Sequence, residues 1–228
     1  MRTVEDLPVM PMNSVLFPGA PVTLHIHEER YQTMLEEAIE DRGFFGVALL
    51  QGGNEVGGPA IPHEIGTIAQ ICEVTGLPDG SSMVLAEGGD RFRISRVRSA
   101  MPVLRVDAEL LVERSGISPE AGPAVKRARE NLEELVGLVL RTMGVEKPAP
   151  ELPEDPVQLS YAIAANLQIG LQSQQDLLEA ESAAVRLGRT TPLVQKEIAH
   201  YRVMARAREK LEALGLTEVD DELPFSHN

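Results

Sequence analysis

The chain has 228 residues, of which 43% are hydrophobic and 25% charged. That balance supports a buried core and excludes disorder over the whole length. Lys plus Arg number 21 against 35 Asp plus Glu, a net charge of −14 that disfavours phosphate backbones and anionic membrane surfaces as partners.

The first half reads as strands. Val22–His27 alternates apolar and polar residues, the period of a half-buried strand. Tyr31, Met34, Leu35, Ala38 and Ile39 then form an apolar helical stripe, with Glu28 and Glu29 in its first turn and Gly43 as its stop. Phe44–Leu50 reads as a buried strand, and Gln51–Glu64, with two Gly-Gly pairs and two prolines, as a mobile surface loop. Ile65–Val74 is apolar on both faces, which puts Cys72 in the core as a small buried residue. Val84–Glu87 and Arg91–Val97 read as neighbouring strands joined by a Gly88-Gly89-Asp90 turn. Leu104–Leu110 alternates cleanly, so one face is wet. About six short strands joined by turns imply a curled sheet or a partly open barrel rather than a doubly wound sheet.

The second half reads as helices. Ser118-Pro119 is a cap and first-turn proline for a helix with Val125, Ala128, Leu132, Leu135, Val136, Val139, Leu140 and Met143 on one face and Gly144 at its end. Prolines 148, 150, 153 and 156 make a stiff connector. Asp155 and Gln158 form a capping box, and the helix they open runs to about Leu167. Ser173 opens a short helix. Thr191-Pro192 opens the last one, with Val194, Ile198, Tyr201, Met204 and Leu211 inside and Gly215 after it. The expected division is a β-rich part over 1–115, a helical bundle over 116–216 and an acidic tail over 217–228. The helices are too sparsely apolar to stand alone, so they pack on one another and on the sheet.

Motifs that carry chemistry are scarce. There is no G-x-x-x-x-G-K-[ST] loop, no G-x-S-x-G elbow and no H-E-x-x-H helix. His25 and His27 share a strand face but supply only half a tetrahedral metal site, with His63 and Cys72 as the remaining candidates, so no metal and no cofactor are expected. Arg91, Arg93, Arg96, Arg98 and Arg105 are five of the nine basic residues before position 116. With little aromatic interleaving they read as partners for Glu87, Asp90, Asp107 and Glu109 rather than as an RNA surface. No apolar run approaches the roughly 20 residues of a membrane span. The opening residues lack a secretory h-region. A single cysteine fits a reducing cytoplasm.

Leu7–Met12, Val15-Leu16-Phe17-Pro18-Gly19 and Leu24–Tyr31 closely resemble the start of the N-terminal domain of Lon proteases. So do Phe45–Leu49, Ile65–Ala69, Gly76–Gly80 and Gly88–Ile94, in the same order and spacing, with Gln175–Glu179 and Arg186-Leu187 similar to that family's helical region. The resemblance covers roughly residues 5–210. It implies an α+β fold, a PUA-like β pseudo-barrel with one early helix followed by a C-terminal helical bundle. It also implies recognition of unfolded or extended polypeptides, in company with a protease or unfoldase.

Lon's ATPase module and Ser–Lys peptidase domain have no counterpart here, so a stand-alone, non-enzymatic binding module is expected. PUA-like folds include RNA binders, which is the alternative; the acidity disfavours it. A homodimer through the helices is compatible with these patterns. Met12, Met83 and Met101, near expected turns and strand ends, are the candidate peptide-binding residues, since methionine adapts to irregular contacts. Glu28, Arg30 and Arg91 are expected to form an ionic cluster that fixes the early helix to the barrel.

Overall fold

The structure, a computed structural model, describes residues 2–53, 60–118, 121–145 and 151–214. The middle of the 51–64 loop, Pro119 of the first cap, Pro148 and Pro150 of the connector, Gly215 and the acidic tail lie outside these.

Among the described residues the β part has seven strands, β1 (Arg2–Met12), β2 (Pro21–Ile26), β3 (Phe44–Gly53), β4 (Ala60–Pro62), β5 (Ile65–Gly76), β6 (Ser82–Ser99) and β7 (Leu104–Leu110), with helix α1 (Glu29–Asp41) between β2 and β3 in the chain. The order β1-β7-β6-β5-β3 closes on itself, because β1 also pairs in parallel with β3. β2 attaches to the first half of β6, and β4 hairpins back on β3. The expected loop at 51–64 is therefore strand at both described ends.

Alternation decides which faces are buried. In β2, Leu24 and Ile26 point inward while Thr23 and His25 are exposed; in β7, Leu104, Val106 and Ala108 point inward. α1 covers the barrel with Tyr31, Met34, Leu35 and Ala38. Ile39 does not share that face and is 49% exposed. At 100° per residue it lies about 80° round from Tyr31, beyond the stripe.

Two further expectations fail in this half. Gly88-Gly89-Asp90 is not a turn, because β6 runs 18 residues straight through it. The Gly19 N–H donates to the Gly88 carbonyl at 2.7 Å and the Gly88 N–H to the Ala20 carbonyl at 2.9 Å. A Cβ on Gly88 would stand 2.1 Å from the Phe17 oxygen. The glycine serves close backbone approach, not reversal. Cys72 is exposed, not buried, since the second half of β5 runs beyond the packed wall.

Four helices follow: α2 (Gly122–Met143), α3 (Pro156–Asn166), α4 (Leu171–Leu178) and α5 (Ala183–Ala213). α2 buries Ala128, Leu132, Leu135 and Leu138, ends on left-handed Gly144, and leaves Met143 exposed. α3 is capped as its capping box predicts, with Asp155 Oδ1 accepting from the N–H groups of Val157 and Gln158 at 2.9 Å. An Asp155→Ala variant is expected to lose about 1 kcal/mol, read from the midpoint of a urea melt.

α4 begins at Leu171 with Gly170 as its cap, so Ser173 is interior rather than capping. α5 begins eight residues before the expected Thr191-Pro192, and Pro192 is inside it. Ser182 Oγ accepts from the Val185 N–H at 3.3 Å, and the carbonyls of Arg114 and Ser115 accept from Ala183 and Ala184. Gly188, whose carbonyl loses its helix donor to the proline, is exposed to water. Val194, Ile198 and Ala205 face inward, whereas Met204 and Leu211 are exposed. The helical core also takes in Phe17 and Ile65 of the β part, so the helices pack on the barrel as well as on one another.

Candidate functional site

The tightest polar cluster lies where barrel and helices meet. Arg91, on β6 and 3% exposed, donates to Glu113 Oε1 at 2.5 Å, to the Ala180 carbonyl at 2.9 Å and to the Leu178 carbonyl. Arg186, fully buried, donates to Leu177 O at 3.1 Å, Ser160 Oγ at 2.7 Å and Tyr161 Oη at 2.9 Å, and stacks 3.6 Å above the Tyr161 ring. Burial holds the Tyr161 hydroxyl well above the usual phenol range, so it stays protonated and donates to Glu113 Oε1. Burial pushes the Arg186 guanidinium down, from a starting value high enough to leave it charged. Both guanidiniums are held by several acceptors inside the protein, which marks the cluster as a clamp. Arg91 does not join Glu28 and Arg30 as expected; those two pair with each other at 3.0 Å. What Arg91 fixes to the barrel is the helical part, not α1.

Two more of the five arginines are also engaged. Arg98 pairs with Asp107 and Glu5, and Arg105 with Asp6 and Glu37. The bond from Arg98 pulls the Asp107 carboxyl below the usual carboxylate range.

A Ser–His contact that no sequence spacing announces occurs between β2 and the turn before β6, where His25 Nε2 is 2.7 Å from Ser81 Oγ. Ser81 is 5% exposed, and its hydroxyl donates to Asp79 Oδ1 at 2.6 Å. That bond holds Asp79 below its ordinary value. With its proton committed to a carboxylate, Ser81 accepts from His25 and is not set up as a nucleophile. The rings of His25 and His27 lie 5.7 Å apart, and no group of three or more metal-ligating side chains forms among the described residues.

Clefts open at several places on the surface, and three of them differ in what lines them. One of about 740 Å³ lies at the junction, lined by Glu87, Asp90, Glu113 and Asp155 over small residues such as Ala162 and Ala165. Two of its four carboxylates already work for the fold, in the clamp and in the α3 cap. A second, of about 470 Å³, lies between α1 and the β6–β7 turn and carries Met101, which is 52% exposed, over Met34 and Val103.

The third, of about 330 Å³, separates Met10-Pro11-Met12 of β1 from Thr23–Ile26 of β2 and the following His27, with Tyr31 beside it. Its floor is the barrel core itself: Met10, Leu24, Ile26 and Tyr31 are all buried in one cluster, with half-buried Met12 packed against it. It is the most apolar of the three in residue type and lies along a strand edge. Of the sequence candidates, Met12 lines this groove and Met101 the α1 cleft. Met83 sits half-buried on β6, cross-strand from His25 and Thr75. No signal in the sequence singled out Met10, Tyr31 or the β2 backbone as part of this groove.

A family model described as the ATP-dependent protease La (LON) substrate-binding domain matches residues 6–196. The Lon protease of Nitratidesulfovibrio vulgaris is 31% identical over 222 residues, covering 91% of this chain and 27% of that protein. Lon protease 2 of Syntrophobacter fumaroxidans is 22% identical over 212 residues, covering 92% and 27%. The chain thus spans about a quarter of the length of these relatives. Among solved structures, a Lon N-terminal domain protein from Xanthomonas campestris superposes with a TM-score of 0.61 at 22% identity, covering 82% of this chain and 96% of that one. The N-terminal domain of Mycobacterium avium complex Lon protease gives 0.61 at 16% identity, covering 84% and 98%.

Proposed function

Because the chain belongs to the LON substrate-binding domain family, we propose that it is a non-catalytic module that binds unfolded or extended polypeptide in the groove between β1 and β2. The observation that carries this reading is the composition of that groove. Methionines, aliphatic residues and a tyrosine line it. Adaptable apolar side chains suit partners that share exposed hydrophobicity rather than one sequence.

The matched portion of the relatives is the one named for substrate binding, and bond cleavage is not assigned to the described residues. Delivery of bound chains to an ATP-dependent protease is the role this module would serve. RNA is disfavoured, since the groove has no lysine or arginine and the chain carries a net charge of −14. Among the described residues no helix is long and apolar enough to cross a membrane. The single, exposed Cys72 suits a reducing cytoplasm.

The test is fluorescence anisotropy with a labelled, reduced and alkylated small protein that cannot refold. Met12→Asp is expected to weaken binding about tenfold, about 1.4 kcal/mol, with little change in thermal melting because the side chain is only half-buried. Met101→Asp, in the other cleft, is expected to leave affinity unchanged. Absence of any complex at tens of micromolar would sink the proposal.

A further inference from the structure

β2 has β6 on one side and, among the described residues, no strand on the other. The direction of its backbone groups follows from the register. The Gly88 N–H donates to the Ala20 carbonyl, and cross-strand pairs continue as Val22 with Ala86, Leu24 with Val84 and Ile26 with Ser82. In an antiparallel ladder bonded and non-bonded pairs alternate. Val22, Leu24 and Ile26 therefore turn their N–H and C=O toward β6, and Thr23 and His25 turn theirs toward the groove. Pro21 falls on the groove-facing phase, where its missing N–H costs the ladder nothing.

The opposite wall has the same character. β1 pairs with β7 only as far as Val9, opposite Leu104. Met10, Pro11 and Met12 go on paired with β3 alone. The groove between them is thus a gap in the barrel wall, bordered by the unpaired sides of two strands and floored by the core.

We infer that an extended polypeptide segment adds as an extra strand along the outer edge of β2, taking its main-chain bonds from Thr23 and His25. This inference rests on the polypeptide-binding reading and gives it a mode. The six residues of β2 span about 20 Å, room for a segment of similar length. Side chains alternate along a strand, so every second residue of the segment meets Met10, Met12 and Tyr31 and should be apolar. The groove's one carboxylate, Glu28, is paired with Arg30. With the chain's net charge of −14, acidic segments are repelled, and neutral or basic ones are taken. Pro21 and the shortness of the edge blunt pairing between two copies.

The test uses a ten-residue peptide alternating valine with lysine or threonine, and two versions of it N-methylated at the odd or the even positions. One methylated version is expected to lose binding by about tenfold, through donors aimed at β2, and the other to bind within about threefold of the parent. Hydrogen exchange at Thr23 and His25 is expected to slow on binding, with Leu24 and Ile26 unchanged. Equal binding by all three peptides, or equal loss in both methylated versions, overturns the strand mode while the parent peptide's binding upholds the broader reading. Capture of an unfolded protein without capture of the parent peptide also overturns the mode. So does self-association that protects Thr23 and His25 in the absence of peptide. Failure of both peptide and unfolded protein to bind removes the broader reading itself.

Discussion

Arg91→Ala is expected to destabilise the protein by about 3–5 kcal/mol, as breaking one partner of a buried ion pair does. The side chain ties Glu113, just past β7, to the carbonyls of Leu178 and Ala180, at the end of α4 and just beyond it. Removing it leaves the Leu178 carbonyl without this donor, the Ala180 carbonyl with only the long bond from Arg186 at 3.4 Å, and a carboxylate whose second oxygen is already buried without a hydrogen bond. Lysine is not expected to rescue, because one ammonium cannot reproduce the divergent donors of a guanidinium. Urea unfolding measures the loss. Limited proteolysis should show earlier cutting around residues 178–182, since the joint opens first. Unchanged melting and unchanged cutting would show that the clamp is dispensable.

Gly88→Ala is the second large effect. An alanine Cβ there would sit 2.1 Å from the Phe17 oxygen and 2.9 Å from its carbonyl carbon. Backbone on both sides must move, and the bonds between Gly88 and residues 19 and 20 go with it. A cost at or above the upper end of the overpacking range, about 3 kcal/mol, is expected. Gly80→Ala is the informative comparison: it has no atom within 4 Å and a positive φ of +85°. It should cost about 1 kcal/mol through backbone strain alone. Calorimetry on the two proteins orders them, and equal melting temperatures would contradict the close-approach reading.

The elements legible in the sequence were those whose pattern is local. β2 and β7 alternate, α1 carries a stripe, α3 announces its cap, and the pseudo-barrel followed by helices agrees with the solved Lon N-terminal domains. The misses are positions whose meaning is set by distant chain. Gly88 looks like a turn until Phe17 is placed against it. β1 carries Pro8 and Pro11 and is not among the strands read from the sequence, yet it closes the barrel between β7 and β3. Pro192 looks like a helix start because its tolerance rests on exposed Gly188, while the true start is held by carbonyls some 70 residues earlier, at Arg114 and Ser115.

The groove shows the same limit. Met12 could be named from residue type, but the wall opposite it belongs to β2. In the proposed strand-addition mode that wall acts through its backbone, which composition does not reveal.

The parallel contact of β1 with β3 can form once residue 49 is made, whereas Arg2 meets Leu110 and Val9 meets Leu104. During vectorial synthesis β1 therefore waits, one side exposed, until residues 104–110 have been translated. Completion of the Arg91–Glu113 joint waits longer still, for the carbonyls of Leu178 and Ala180. Such late, long-range closure slows folding, and it makes the nascent chain itself, with apolar strand edges unsatisfied, the kind of species that needs protection while it is being made.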